Sequence, residues 1–194
     1  DSSSYRIGDA AHNVQHGFFA AYQAIYDDYT TSGVDFIAIQ LHGMSEASSN
    51  GLEVYATHGV TRVPTTGSLV RQLQDQLRSL SVDWDVAVPG DPVTANLSGT
   101  LNVEGRLLNG IREDALPHAS TYGNHTGWFI HAEQTPTARQ TDAYPVWIQA
   151  LKALDPNGLP EIPGYWVRIP NGGQTWTIGA AETITWDSPG IDDT

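Results

Sequence analysis

Cysteine is absent from the 194 residues, which removes disulfides, thiolate zinc sites and cysteine nucleophiles together. Any metal must therefore be held by His, Asp or Glu. Lysine occurs once, as Lys152, and nine bases face 22 acids for a formal charge of −13. A surface of that sign repels phosphate backbones, so nucleic acid is not an expected partner. No apolar run approaches the ~20 residues that span a bilayer. No Gly-x-Ser-x-Gly elbow occurs, which argues against a serine hydrolase. The chain opens at Asp1 without Met, which reads as a mature or excised product. With the acidity, this gives the expectation of a secreted or cell-surface protein.

What the chain does have is enough apolar and aromatic material for one substantial domain: 40% hydrophobic residues, including 6 Trp, 8 Tyr and 4 Phe. Phe18, Phe19, Tyr22, Ile25, Tyr26 and Tyr29 recur at three- and four-residue spacings and predict a helix of about four turns. Val34 to Leu41 is nearly continuous in apolar residues, as expected of a strand covered on both faces. The Gly-, Ser- and Asn-rich segment from His42 to Gly51 reads as a loop. Strands are predicted at Leu52–Thr57 and Val82–Val88. Between them lies a helix with Ser68 as cap and Leu69, Leu73, Leu77 and Leu80 on one stripe. Leu101 to Gly110 is ambiguous between strand end and loop. A strand at about 127–132 and a helix over Thr141–Leu154, with Pro145 in its first turn, complete the pattern. Alternation of this kind indicates an α/β layered domain over residues 1–155.

Residues 156–164 are dense in Pro and Gly and read as a linker. Residues 165–194 change to short β segments around Trp166, Trp176 and Trp186. Gly172-Gly173-Gln174-Thr175-Trp176-Thr177-Ile178-Gly179 and Ile184-Thr185-Trp186 resemble the opening strands of Ser/Thr-rich, Ig-like domains of secreted and cell-wall proteins. About 30 residues cannot close a sandwich of roughly 100. Either the chain stops within such a domain, or the tail pairs with the first one.

Two strand ends carry chemistry. Phe36–Leu41 runs into His42, with Glu46 four residues on. Trp128-Phe129-Ile130 runs into His131-Ala132-Glu133. Residues two apart in a strand share a face, so the His131 imidazole and the Glu133 carboxylate emerge together. A catalytic zinc takes about three His or carboxylate ligands and keeps one position for water. His42, Glu46 and His131 supply the ligands, and Glu133 remains as general base. Glu53 and His58 stand as alternatives for the third ligand. His12, His16, His118 and His125 lie in polar surroundings and read as surface residues.

Leu41-His42-Gly43…Glu46 and Phe129-Ile130-His131-Ala132-Glu133-Gln134, with Arg139 beyond, resemble motifs of the N-formylglutamate amidohydrolase group. That group has relatives among zinc carboxypeptidase-like hydrolases, including poly-γ-glutamate hydrolases. The resemblance rests on these short motifs, which fall within about residues 36–139. It implies a three-layer α/β/α fold with a mixed sheet, one zinc, and cleavage of an amide or peptide bond. It also implies His42, Glu46 and His131 as ligands and Glu133 as base. One departure is the His-to-Glu spacing of four, where zinc carboxypeptidases use three.

An arginine fork suits a substrate carboxylate. Arg139, next to the catalytic strand, and Arg106, with Asn102 nearby, are the candidates for that contact; Arg112 ranks below them. The expectation is a zinc-dependent hydrolase of a small-molecule or peptide substrate bearing a carboxylate. The rival is a non-enzymatic surface or wall-associated module that self-associates through residues 165–194 by strand addition.

Overall fold

The structure is a computed structural model, and it describes residues 10–32, 36–111, 125–154, 166–169 and 185–187. The chain forms two compact units, residues 1–156 and 157–194.

The first unit is α/β. A 3-10 turn at Ala10–His12 precedes α1 (Gly17–Ser32), β1 (Ala38–Gly43), α2 (Glu46–Ser49), β2 (Val54–Thr57) and α3 (Leu69–Leu80). There follow β3 (Val86–Ala87), α4 (Val103–Leu108), β4 (Phe129–Gln134) and α5 (Tyr144–Lys152). The sheet has the order β1-β4-β2-β3 and is mixed: β4 runs parallel to β1 and antiparallel to β2, while β2 and β3 are parallel.

Sequence accounts for most of these elements. In α3 the Ser68 side chain accepts from the Arg71 backbone N–H; such a cap is worth about 1 kcal/mol. The stripe behind it buries Leu69, Val70, Leu73 and Leu77. Pro145 stands in the first turn of α5, where its missing N–H costs no helical bond. Helix α1 covers the aromatic periodicity, with Tyr22, Tyr26 and Tyr29 gathered edge-on or tilted around Phe36.

Strand alternation then divides the sheet. Val54 and Ala56 of β2, Val86 of β3, and Ile130 and Ala132 of β4 pack with Leu69, Leu73 and Leu77 of α3 and Trp147 and Ala150 of α5. Register places His131 beside Gln40 and Thr57, and Glu133 beside His42 and Tyr55. Those residues occupy the other face, because successive side chains alternate. Helix α4 packs on β4 and on α1.

Four expectations change. Strand β1 lies at the sheet edge, and Ile39 and Leu41 are 36% and 47% exposed, so it is not covered on both faces. The 42–51 segment contains the single turn α2. The third strand contracts to Val86–Ala87, its ladder with β2 covering two residues. The ambiguous 101–110 stretch is helix α4, capped by Asn102, whose Oδ1 accepts from the Gly105 N–H at 2.9 Å.

In the second unit, β5 (Trp166–Ile169) and β6 (Thr185–Asp187) form an antiparallel pair with a register shift between Val167 and Ile169. The linker expected at 156–164 and the segment around Trp176 lie outside the described residues.

Candidate functional site

Strand β4 is buried along its whole length, and it carries the centre of the site. His131 and Glu133 are 3% and 7% exposed, and His131 Nε2 lies 3.1 Å from Glu133 Oε1. The His42 ring, brought alongside by the parallel β1–β4 register, sits with its centroid 4.7 Å from that of His131 at a tilt of 44°. A carboxylate and two imidazoles therefore share one sheet face, as the i, i+2 spacing and the two strand motifs required.

These three side chains line a cavity of about 210 Å³. Its roof is the segment 96–102, which has no regular structure of its own and is held by side chains from outside it. Thr57 Oγ1 donates to the Ser98 carbonyl at 2.7 Å, and Arg106 Nε donates to the Thr100 carbonyl at 2.9 Å. Asn102 Nδ2 donates to Gln40 Oε1. The roof comes so close to the floor that only glycine fits at position 99. Gly99 has φ +67°, and a Cβ there would stand 2.6 Å from Cγ of the His131 ring. The His131 Nδ1, buried beneath this roof, has no hydrogen-bond partner among the described residues.

The remaining expected residues fall into different places. Asn102 lines the cavity, but both ends of its amide are engaged in holding the roof. Arg106 is 3% exposed and holds Thr100 from behind. Arg139 is exposed, in a 3-10 turn at Thr137–Arg139, with its guanidinium directly against Gly43 where a Cβ would stand. Alternation along β1 puts it on the face opposite His42, at the rim where that strand ends. Glu46 opens α2, is exposed, and lies outside the cavity lining. Glu53 accepts from the Asp85 N–H at 2.7 Å, tying β2 to the approach of β3. Arg112 and His118 lie outside the described residues.

His58 is built into the interior. Its Nδ1 lies 2.9 Å from the Phe129 carbonyl, which can only accept, so the neutral ring carries its proton there. The buried Nε2 has no partner among the described residues, and the His125 ring stacks on it at 4.6 Å and 10°. Burial is the main cause that pushes His58 down to about 4; the Phe129 carbonyl opposes the shift and His125 adds to it. His125 is also lowered, first by burial and then by the charge of Arg62.

One residue of the cavity escapes sequence reasoning. His12, half-buried at the end of the first 3-10 turn, lines the same cavity as His42, His131 and Glu133. Its neighbours in sequence are polar, and only the packing of that turn against α1 and α4 brings it here. Imidazole and carboxylate donors of this kind suit zinc. Among the described residues no three such side chains stand at chelating positions. Comparison of the chain with protein-family models, with curated proteins and with solved structures gives no match.

Proposed function

We propose that the chain is a zinc-dependent hydrolase of amide or peptide bonds, secreted or displayed at a cell surface, on a three-layer α/β/α scaffold. The observation that carries this reading is the buried His131–Glu133 contact at 3.1 Å on the floor of a cavity that His42 also lines. His42 and His131 would hold the ion together with a third donor. Zinc held there would lower the pKa of its water toward ~7 and would polarise the scissile carbonyl.

The chain's own residues supply the rest. Glu133 stands within hydrogen-bond reach of the ligand His131, so its carboxylate is placed to accept a proton from water and return it to the departing amine. Burial at 7% exposure keeps that carboxylate from being screened by bulk solvent. Gly99 and the roof segment limit the space above His131. Arg139 stands at the end of β1 on the face opposite His42, so its exposed side chain meets a substrate carboxylate only by swinging over the strand end.

The test is metal content and turnover together. Protein equilibrated with zinc and desalted is expected to hold one ion per chain and to hydrolyse N-formylglutamate or a γ-glutamyl oligomer. A chain with no retained zinc and no change in thermal midpoint on zinc addition would sink the reading.

A second reading, a non-enzymatic surface or assembly module, draws on one observation. Strand β1 is an edge strand that exposes Ile39 and Leu41, the kind of edge that recruits another strand. Light scattering of the chain with and without residues 165–194 tests it. Assembly lost with the tail supports strand addition, and a monomer in both cases rejects it.

A further inference from the structure

We propose that the outer edge of β1 is a peptide-binding surface, taking as an added strand an extended apolar segment that ends in a carboxylate beside Arg139. This goes beyond the hydrolase reading and does not depend on a metal.

The backbone comes first. The Ala38 and Met44 N–H groups donate to the carbonyls of Trp128 and Gln134, at 2.9 and 2.8 Å. Backbone groups alternate between the two sides of a strand, so those of Ala38, Gln40 and His42 face β4, and those of Ile39, Leu41 and Gly43 face outward. Strand β1 ends the sheet on that side, and among the described residues nothing is hydrogen-bonded to these three outward groups.

The opposite edge of the same sheet is guarded. The outward Val86 carbonyl of β3 accepts from Gln74 Nε2 at 2.9 Å and from Arg78 Nε and Nη2 at 3.0 and 2.6 Å. Polar side chains placed in this way block a further strand. The β1 edge has no such guard. Ala38-Ile39-Gln40-Leu41-His42-Gly43 contains no Asp, Glu, Lys or Arg, and Ile39 and Leu41 are exposed.

Charge identifies the occupant. In a chain of formal charge −13, the Arg139 guanidinium packs on Gly43, at the end of β1 and on the same face as Ile39 and Leu41. A strand laid parallel to β1 finishes there, so its terminal carboxylate meets Arg139 with no swing over the strand end. Its alternate side chains lie along Ile39 and Leu41. An antiparallel strand would bring an ammonium terminus to the same cation and be repelled. A second copy of the chain adds its own −13 charge, which opposes close approach. Main-chain hydrogen bonds then supply affinity, and the apolar contacts and the carboxylate supply selection.

The experiment uses the full-length chain and an N-acetylated peptide of about seven residues, alternating valine and threonine, with either a free carboxyl terminus or a terminal amide. Amide hydrogen exchange followed by NMR should show the N–H groups of Ile39, Leu41 and Gly43 becoming protected when the free-acid peptide is added. Those of Gln40 and His42, already bonded to β4, should not change. The amidated peptide should bind about fivefold more weakly, as expected for loss of an exposed ion pair. Arg139→Gln should bring the two peptides to equal affinity, and Leu41→Asp should weaken both by at least ~10-fold. No protection of the three amides at ~1 mM peptide, or equal affinity of the two peptides for the wild type, would overturn the inference. Protection without peptide, rising with protein concentration alongside a dimer in sedimentation, would name a second copy as the occupant and overturn it as well. Zinc content and turnover enter none of these outcomes, so this inference and the hydrolase reading fail separately.

Discussion

Two pairs of histidines flank β4, and at the level of ring distance they are nearly alike. His42 and His131 have centroids 4.7 Å apart, and His58 and His125 have centroids 4.6 Å apart. Everything else differs. The first pair is tilted by 44°, adjoins a buried carboxylate and opens on a cavity. The second is nearly parallel, with His58 tied to a backbone carbonyl and His125 under the influence of Arg62. Close imidazoles alone do not make a site. The first pair adds a cavity and a buried carboxylate, and the second serves as its internal comparison.

The largest expected effect separates the pairs by chemistry. Glu133→Gln should retain zinc yet lose about 10²–10⁴ of kcat on the amide substrate, the usual worth of a general base and roughly 3–5 kcal/mol of barrier. An active Glu133→Gln chain would remove Glu133 from that role.

Acid should find the other pair. His58 falls from 6.5 to about 4 in the folded chain. Between those values the unfolded state binds the extra proton, so stability is complete above pH ~6.5 and declines as pH falls toward 4. The shift corresponds to about 3 kcal/mol once pH is below both values. Urea midpoints measured from pH 7 to 4 should show this slope, and His58→Asn should reduce it, leaving the part that His125, also lowered by burial, contributes. The carboxyl of Asp91 does not confuse the reading. Burial raises it, but hydrogen bonds from Arg71, Gln74 and the Val88 N–H outweigh that and hold it below 3.8, so its contribution is lost only at still lower pH.

A third prediction tests whether the roof shapes the open pair. Gly99→Ala places a Cβ against the His131 ring at a positive φ. About 2 kcal/mol of destabilisation is expected, seen in thermal unfolding, together with weaker zinc binding. Unchanged zinc affinity would mean that the roof does not control the His131 ring. The smallest effect belongs to the rim. Arg139→Ala should raise KM for a carboxylate-bearing substrate by about fivefold, near the ~1 kcal/mol of an exposed ion pair, with kcat intact. A kcat loss with constant KM would place Arg139 at the reacting bond instead.

How far the sequence discloses this molecule varies by element. The β4 motif was legible because a period of two fixes which side chains share a face, whatever lies around them. The helices α1, α3 and α5 followed from apolar stripes. Helix α4 was hidden because its inward side chains include Glu104 and Arg106, 1% and 3% exposed, where a pattern reader expects apolar residues. The edge position of β1 was hidden as well, since Ile39 and Leu41 look buried by composition and are not. His12 could not be read at all: its place depends on contacts between segments about 90 residues apart, the first 3-10 turn and α4. Asn102 and Arg106 carried the residue types of a substrate site, and the structure uses their hydrogen bonds to suspend the roof.

Strand β4 is hydrogen-bonded on both sides, parallel to β1 and antiparallel to β2. Its amides should be among the slowest in the chain to exchange with solvent, since releasing them requires dismantling two ladders together. The roof 96–102 is irregular and is anchored by side chains such as Thr57 and Arg106, and the turn bearing His12 packs on α1 and α4. The wall that carries His131 and Glu133 is therefore expected to be the last part of the cavity to open, so that these two side chains would keep their relative position through any local opening of the roof.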